Sequence, residues 1–181
     1  MGYVARRVEE KEWQQLRELR LTALADTPIG FGMWHADALN LPDEHWQETA
    51  ERVATAEETA LFVALDEQTG EWVGMAGGFT PDHYSDYWDP RGAVIAVYSV
   101  FVAPEHRGRA RGVADLLFDT VIGWAGQGWP ESRIVLGVHD RNERAHAFYR
   151  RYGFVDNGRA IPYILDDTAE VLLMDYRPAG R

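Results

Sequence analysis

No cysteine occurs among the 181 residues of the sequence. This absence excludes a disulfide framework, a metal site built from thiolates and catalysis through a cysteine nucleophile. Long apolar runs are also missing, since no stretch approaches the roughly 20 residues that a membrane-spanning helix needs. The N-terminal segment MGYVARRVEEKEW has no apolar signal-peptide core. We therefore expect a cytoplasmic protein with no membrane partner.

Basic charge is scarce, because 18 Lys and Arg residues face 29 Asp and Glu residues and leave a net charge of −11. Proteins that bind nucleic acid usually present a basic face, so this balance argues against a nucleic-acid partner. A hydrophobic content of 46% and an aromatic content of 12% are typical of a folded globular chain. The length favours a single domain over residues 1–181.

Apolar periodicity predicts an alternation of strands and helices. Strands are predicted at 3–8, 60–66, 71–80, 93–102, 133–139, 159–165 and 169–176, and helices at 10–25, 42–55, 110–126 and 142–152. The segment Ile29 to Leu41 is predicted to be irregular, and Asp166-Asp167 is predicted to form the last turn. This order favours a mixed α/β fold with one sheet flanked by four helices.

The segment from Arg107 to Gly112 lies between a predicted strand and a predicted helix and contains three arginines and two glycines. Glycine lets the backbone approach an anion, and the first N–H groups of a helix lack intrahelical acceptors. Arginine adds bidentate contacts to phosphate. The segment therefore predicts a phosphate or pyrophosphate site, although an exposed turn with solvated arginines also fits it.

A second motif joins the strand at 133–139 to the following helix. Asn142 suits the N-cap of that helix, and Tyr149 lies two turns further along the same face. Taken alone, Tyr149 also fits the role of a core aromatic residue.

Together the two motifs resemble the GNAT superfamily of acetyl-CoA-dependent N-acetyltransferases. Its signature reads V-x-P-x-x-R/Q-G-x-G-x-G/A, then L-x-V-x-x-x-N-x-x-A-x-x-x-Y-x-x-x-G-F. The second half matches at every position, and the first half departs only at Ala110, where glycine is usual. Alanine keeps the backbone N–H and fits if this residue has ordinary helical dihedral angles. The resemblance is carried by residues 93 to 155.

The resemblance implies a mostly antiparallel sheet of about seven strands that splays in the middle. It also implies acetyl-CoA as co-substrate, no metal, and the possibility of a homodimer. The pantetheine arm would lie along Val100, Phe101 and Val102, with Asn142 helping to hold it and Tyr149 near the thioester sulfur. The pyrophosphate would be wrapped by Arg107, Gly108, Arg109, Ala110, Arg111 and Gly112.

The chemistry requires a neutral amine, a donor for the tetrahedral oxyanion and a proton for the leaving thiolate. A backbone N–H of the central strand is the predicted oxyanion donor, and the Tyr149 hydroxyl is the predicted acid. The central strand AVIAVYSVFV contains no carboxylate that could act as base. The predicted base is His139, and the other candidates are His83, Asp86, His35 and Asp37, or a water held by Tyr98 and Ser99. An acceptor that is already neutral would need no base, and any of these histidines could be purely structural.

The acceptor pocket is predicted in the early loop, the second helix and the loop at 81–92. The predicted substrate-binding residues are Phe31, Trp34, His83, Tyr84 and Trp88, supported by Trp46 and Tyr87 and by the carboxylates of Asp37, Asp82, Asp86 and Asp89. Aromatic rings and carboxylates suit a cationic amine. Packing of these rings onto the core is the alternative.

The first hypothesis is an N-acetyltransferase for the primary amine of a small, cationic molecule. A polyamine, an amino-acid derivative and an aminated antibiotic are the candidate acceptors. The alternatives are an acetyltransferase for protein N-termini or lysines, and a non-catalytic module that binds acyl-CoA.

Overall fold

The computed structural model describes residues 2–80 and 93–177. Within these ranges the chain forms one sheet of seven strands: β1 (Tyr3–Arg7), β2 (Thr59–Asp66), β3 (Trp72–Phe79), β4 (Val94–Val102), β5 (Arg133–His139), β6 (Phe154–Tyr163) and β7 (Asp166–Tyr176). Their order in the sheet is β1-β2-β3-β4-β5-β7-β6. The α-helices are α1 (Trp13–Asp26), α2 (His35–Leu39), α3 (Asp43–Thr55), α4 (Val113–Gly128) and α5 (Glu143–Tyr152). Only β4 and β5 pair in parallel, so the predicted mixed, mostly antiparallel sheet is confirmed.

Helices cover both faces of the sheet, because alternate strand residues point to opposite sides. On one face, α4 and α5 pack their apolar stripes on the sheet around Leu117, Phe118 and Tyr149. On the other face, α1, α2 and α3 pack around Leu24, Trp46 and Met75. We call these the α4/α5 face and the α1–α3 face.

The sheet opens between its two central strands. Pairing between β4 and β5 runs only from Val94 to Val97 on β4 and from Arg133 to Leu136 on β5. Beyond Leu136, β5 stays paired with β7 up to His139 but no longer with β4. The second half of β4 therefore has a free edge, as the predicted splay requires.

Four elements, α2, α4, β6 and β7, differ from the sequence-based prediction. The segment expected to be irregular contains the short helix α2, which a single buried residue, Ala38, anchors to the core. Such a short helix shows too little periodicity to be detected. Helix α4 begins at Val113 and not at 110, because Gly112 has a left-handed φ of 70°.

Strand β6 begins at Phe154, five residues earlier than predicted, and the turn lies at 164–165 and not at Asp166-Asp167. This strand is at the sheet edge and is largely exposed, and it contains Gly158 with a φ of 80° and Pro162. Both residue types are ordinarily strand breakers, which hid the strand in the sequence. None of the helices in the described ranges is long and apolar enough to span a bilayer.

Candidate active site

A cavity of about 880 Å³ occupies the opening between β4 and β5. On the α4/α5 face it is lined by residues such as Ala114, Asn142 and Tyr149, and on the α1–α3 face by Arg20 and Phe31. The cavity thus passes through the sheet, so two molecules that enter from opposite faces can meet at the edge of β4.

The basic turn lies at the α4/α5 end of this cavity. Strand β4 leads into a turn in which the Arg111 N–H donates to the Gly108 carbonyl at 3.1 Å, and α4 follows at once. The helix closes its first bond from Leu116 N–H to the Gly112 carbonyl, so the N–H groups of 113–115 have no intrahelical acceptor. With the positive end of the helix dipole, they form an anion site that suits a pyrophosphate.

Ala110 does not disturb this turn. Positive φ angles within it occur at Gly108 (105°) and Gly112 (70°), and Ser99 is the only non-glycine residue with a positive φ in the described ranges. Ala110 thus has a conformation that alanine adopts without strain. Alanine therefore replaces the usual glycine of the signature at a position where the backbone does not require glycine.

The three arginines of the turn differ in what they can contact. The Arg107 side chain is already bound within the protein, since its Nε donates to the Val102 carbonyl at 2.6 Å and its terminal nitrogen pairs with Asp26. Its guanidinium therefore fixes the turn to β4 and α1. Arg111 donates to the Tyr3 hydroxyl at 3.1 Å. Arg109 is exposed and lines the cavity, which makes it the best-placed cation for phosphate.

A β-bulge marks the point where the cavity crosses β4. The register with β3 moves from Met75↔Phe101 to Gly77↔Tyr98, so Ser99 and Val100 together lie opposite one β3 residue. Ser99 has a φ of 54°, a left-handed conformation that costs about 1–2 kcal/mol for a residue with a side chain. The bulge turns peptide groups out of the ladder with β3. On the β5 side, this stretch has no strand partner either.

Asn142 and Tyr149 follow the geometry that the second motif predicts. The Asn142 side chain accepts a hydrogen bond from the Ala145 N–H at 3.2 Å, which makes Asn142 the N-cap of α5. The Tyr149 ring is buried against Phe118, Phe148 and Phe154 at centroid distances of 5.6 to 6.2 Å. Burial raises the pKa of Tyr149 above its ordinary value. Because of this raised pKa, the Tyr149 hydroxyl is protonated at neutral pH and can act as a hydrogen-bond donor. Tyr149 also lines the cavity.

His139 is buried at the end of β5 and lines the cavity. Its Nδ1 accepts a hydrogen bond from the Arg141 backbone N–H at 3.1 Å, and an Asp140 carboxylate oxygen also lies 2.9 Å from Nδ1. Accepting from the Arg141 N–H leaves the ring proton on Nε2, whereas donating to the Asp140 carboxylate leaves Nε2 free as an acceptor. The two contacts require different tautomers, so the base role of His139 stays a prediction.

Of the residues predicted to bind the acceptor, some line the cavity and others do not. Phe31 lines the cavity, whereas Trp34 is 48% exposed and does not. Trp46 is buried in the core, and neither His35 nor Asp37 lines the cavity. The remaining predicted residues of this pocket lie outside the described ranges: His83, Tyr84 and Trp88, with Asp82, Asp86, Tyr87 and Asp89.

The sequence interpretation missed Arg20. This residue lies on α1 and lines the cavity from the α1–α3 face. The detectable signal was its spacing, because Arg20 follows Leu16 by four residues and precedes Leu24 by four, on the apolar stripe of the helix. A charge inside an apolar stripe is unusual in a purely structural helix.

Within residues 2–80 and 93–177, no cluster of His, Asp or Glu side chains is suited to hold a metal ion. The site is therefore built from backbone donors, arginines and one buried tyrosine. These are groups that can bind a pyrophosphate, stabilise an oxyanion and donate a proton.

The fold is shared with solved acetyltransferase structures. A GNAT-family acetyltransferase from Streptococcus pneumoniae aligns over 98% of this chain and 100% of its own, with 18% identity and a TM-score of 0.75. The ribosomal-protein-S5-alanine acetyltransferase from Vibrio fischeri aligns over 98% and 93%, with 16% identity and a TM-score of 0.73. The aminoglycoside N-acetyltransferase AAC(6')-Iy in complex with CoA aligns over 90% and 93%, with 20% identity and a TM-score of 0.68.

None of the curated proteins matches the chain by sequence. The model of the acetyltransferase (GNAT) family does match, over residues 13–154, a range that contains both motifs and the cavity between β4 and β5. The chain belongs to the GNAT family and is an acetyl-CoA-dependent N-acetyltransferase.

Proposed function

We propose that the chain transfers the acetyl group of acetyl-CoA to the primary amine of a small molecule by direct attack. The observation that carries this proposal is the cavity through the sheet, with an anion site at one end and Arg20 and Phe31 at the other. The segment 27–32 and the turn between β6 and β7 line the acceptor end. Acceptor and pantetheine share about 880 Å³, which supports a small acceptor over an extended peptide.

The bulge at Ser99 and Val100 supports oxyanion stabilisation. A C–N bond forms between the amine and the thioester carbon, and negative charge develops on the carbonyl oxygen. A backbone N–H that the bulge releases from the ladder can donate to this oxygen without reorganisation. The C–S bond then breaks, and the sulfur takes up one proton while the amine nitrogen loses one.

Tyr149 supports departure of the thiolate. Its raised pKa keeps the hydroxyl protonated, whereas an ordinary thiol has a pKa of about 8.5. A hydroxyl with the higher pKa donates a hydrogen bond to the developing thiolate but does not surrender its proton outright. The proton comes from the amine nitrogen, which becomes acidic once it has attacked.

The acceptor reacts as its neutral form, and kcat/KM increases with pH until the acceptor amine is deprotonated. Strand β4 has no carboxylate that could act as base, and His139, at the end of β5, is the predicted base that lines the cavity.

The expected preference for a cationic acceptor stays a prediction, because the predicted carboxylates of Asp82, Asp86 and Asp89 lie outside the described ranges. The only carboxylate among the described cavity residues is Asp115, which pairs with Arg151 at 2.9 Å near the anion site. Arginines outnumber it in the lining. Acetyl-CoA is an intracellular metabolite, which supports a cytoplasmic location.

Calorimetry with acetyl-CoA, followed by thiol release against amino acids, polyamines, aminoglycosides and short peptides, tests the proposal. We expect saturable binding and turnover with one class of small amine. Binding without turnover of any amine would instead favour the acyl-CoA-binding module. Turnover of peptides alone would favour the protein acetyltransferase.

A further inference from the structure

Arg20 presents a positive charge at the acceptor end of the cavity. Its Nη1 donates to the Ser99 hydroxyl at 3.0 Å, and its Cζ lies 4.4 Å from the centre of the Phe31 ring. Arg20, Ser99 and Phe31 all line the cavity. The guanidinium is thus held next to the bulge where the oxyanion forms, with most of its five N–H donors left for other partners.

No carboxylate in the described ranges pairs with Arg20. Other arginines of the chain have such a partner, as the pairs Arg107–Asp26, Arg150–Asp156 and Arg151–Asp115 show. Burial lowers the pKa of Arg20 to about 10, which still leaves it charged at neutral pH. A partly buried charge without a counter-ion is costly, and an anionic ligand would remove that cost.

The position of Arg20 separates it from the cofactor phosphates. It approaches β4 from the α1–α3 face, whereas the pyrophosphate site is at the start of α4 on the opposite face. That site has its own cations, Arg109 and Arg111. The anion that Arg20 meets is therefore part of the acceptor.

The surroundings of Arg20 limit the rest of the acceptor. The neighbouring lining of the acceptor end is apolar and comprises Ile29, Phe31, Ile161, Pro162 and Ile164. Among the described residues of this end, no carboxylate is available to a distal amine. Because Ser99 belongs both to the bulge and to the Arg20 hydrogen bond, the anion and the reacting amine must be close neighbours in the acceptor.

We infer that Arg20 binds the carboxylate of the acceptor, and that the acceptor is an α-amino acid with an apolar side chain. This inference rests on the proposed acetyl transfer to a small amine and names its substrate class. A polyamine and an aminoglycoside lack the carboxylate, and the α-amine of a peptide has an amide in its place.

The test compares L-leucine, L-leucinamide and 3-methylbutylamine, which share one apolar body and differ only in the carboxylate. Thiol release is measured with acetyl-CoA and expressed per concentration of neutral amine, since the three amines differ in basicity. We expect leucine to exceed the other two in kcat/KM by about tenfold to a hundredfold, the range for a hydrogen bond between charged groups. Arg20→Gln should remove this preference mainly through KM.

Arg17→Gln is the matched control, because Arg17 lies one turn earlier on α1 and does not line the cavity. It should keep the preference for leucine. Acetyl-CoA affinity and the thermal midpoint are measured for every variant. If Arg20→Gln loses acetyl-CoA binding and activity towards all amines alike, Arg20 only supports the fold, and the inference is overturned.

The remaining outcomes separate the inference from the proposed function. Turnover of 3-methylbutylamine, polyamines or peptides at least as fast as leucine would overturn the carboxylate assignment and leave acetyl transfer intact. Acetyl-CoA binding without turnover of any amine would overturn both.

Discussion

At the scale of single residues, the contacts that a side chain already makes decide what else it can bind. Arg107 and Arg20 are both cavity-lining arginines, but Arg107 is tied to Asp26 and the Val102 carbonyl, whereas Arg20, among the described residues, contacts Ser99 and Phe31 and no carboxylate. The sequence favoured Arg107 as a ligand because it stands in the signature. The partners of the two side chains could not be predicted, because Asp26 is 81 residues from Arg107 in the chain and Ser99 is 79 residues from Arg20.

Tyr149→Phe tests the hydrogen bond from the Tyr149 hydroxyl to the leaving thiolate at this scale. The change keeps the ring in its aromatic cluster and removes only the hydroxyl, so acetyl-CoA affinity should change little. Removing one hydrogen-bond donor to a developing anion typically costs about 10²–10³-fold in kcat, and we expect a decrease in that range. The measurement is steady-state thiol release together with calorimetry.

Tyr152→Phe is the control on the same helix, because the Tyr152 hydroxyl donates to Asp119 at 2.6 Å and does not line the cavity. It should keep kcat. A Tyr149→Phe variant with normal turnover per bound acetyl-CoA would make Tyr149 a packing residue.

At the scale of elements, the start of α4 determines the geometry of the anion site. The sequence predicted the helix three residues too early, because Ala110 and Arg111 are good helix formers. Because Gly112 has a left-handed conformation, the helix begins only at Val113, and Ala110 and Arg111 belong to the turn. Helix propensity, which is summed over many residues, does not predict the positive φ of the single residue Gly112.

A pair of Gly→Ala variants tests this point. Added Cβ atoms at Gly112 and at Gly123 both meet open space, but only Gly112 has a positive φ. Gly112→Ala should reduce the free energy of unfolding by about 1–2 kcal/mol and weaken acetyl-CoA binding. Gly123→Ala, inside α4, should increase stability by up to about 1 kcal/mol. Urea denaturation and calorimetry give both quantities, and equal effects of the two changes would contradict the assignment.

At the scale of the whole molecule, carboxylates paired with arginines set the response to acid. Glu12 accepts from Arg6 at 2.5 and 2.8 Å and from the Glu9 N–H at 2.8 Å. The hydrogen bond from Arg6 is the main cause that holds the pKa of Glu12 below its usual range. Arg107 and Thr27 likewise hold the pKa of Asp26 low against its desolvation.

Glu12→Gln therefore has a pH-dependent effect. A depressed carboxyl pKa adds stability above the unfolded-state value of about 4.3, and this contribution is lost as the pH falls through the folded-state value. The stability difference from wild type should be largest near neutral pH and should shrink towards about pH 3. Urea denaturation across this range checks it. Glu10→Gln, in the same turn but exposed, should show no such trend; a deficit independent of pH would mean that Glu12 acts through packing.

The sequence by itself determined the family, the order of most elements and the place of the phosphate turn, because these depend on residues that are close in the chain. The N-cap role of Asn142 could be predicted because its hydrogen bond reaches only to Ala145. Both motifs line the cavity, as their spacing in the chain predicted. Only the tertiary structure decided which side chains share the cavity. Arg20 meets Ser99 across 79 residues, and the bulge and the opening of the sheet arise from pairing between distant strands. Such contacts depend on packing in three dimensions, and local periodicity carries no record of them.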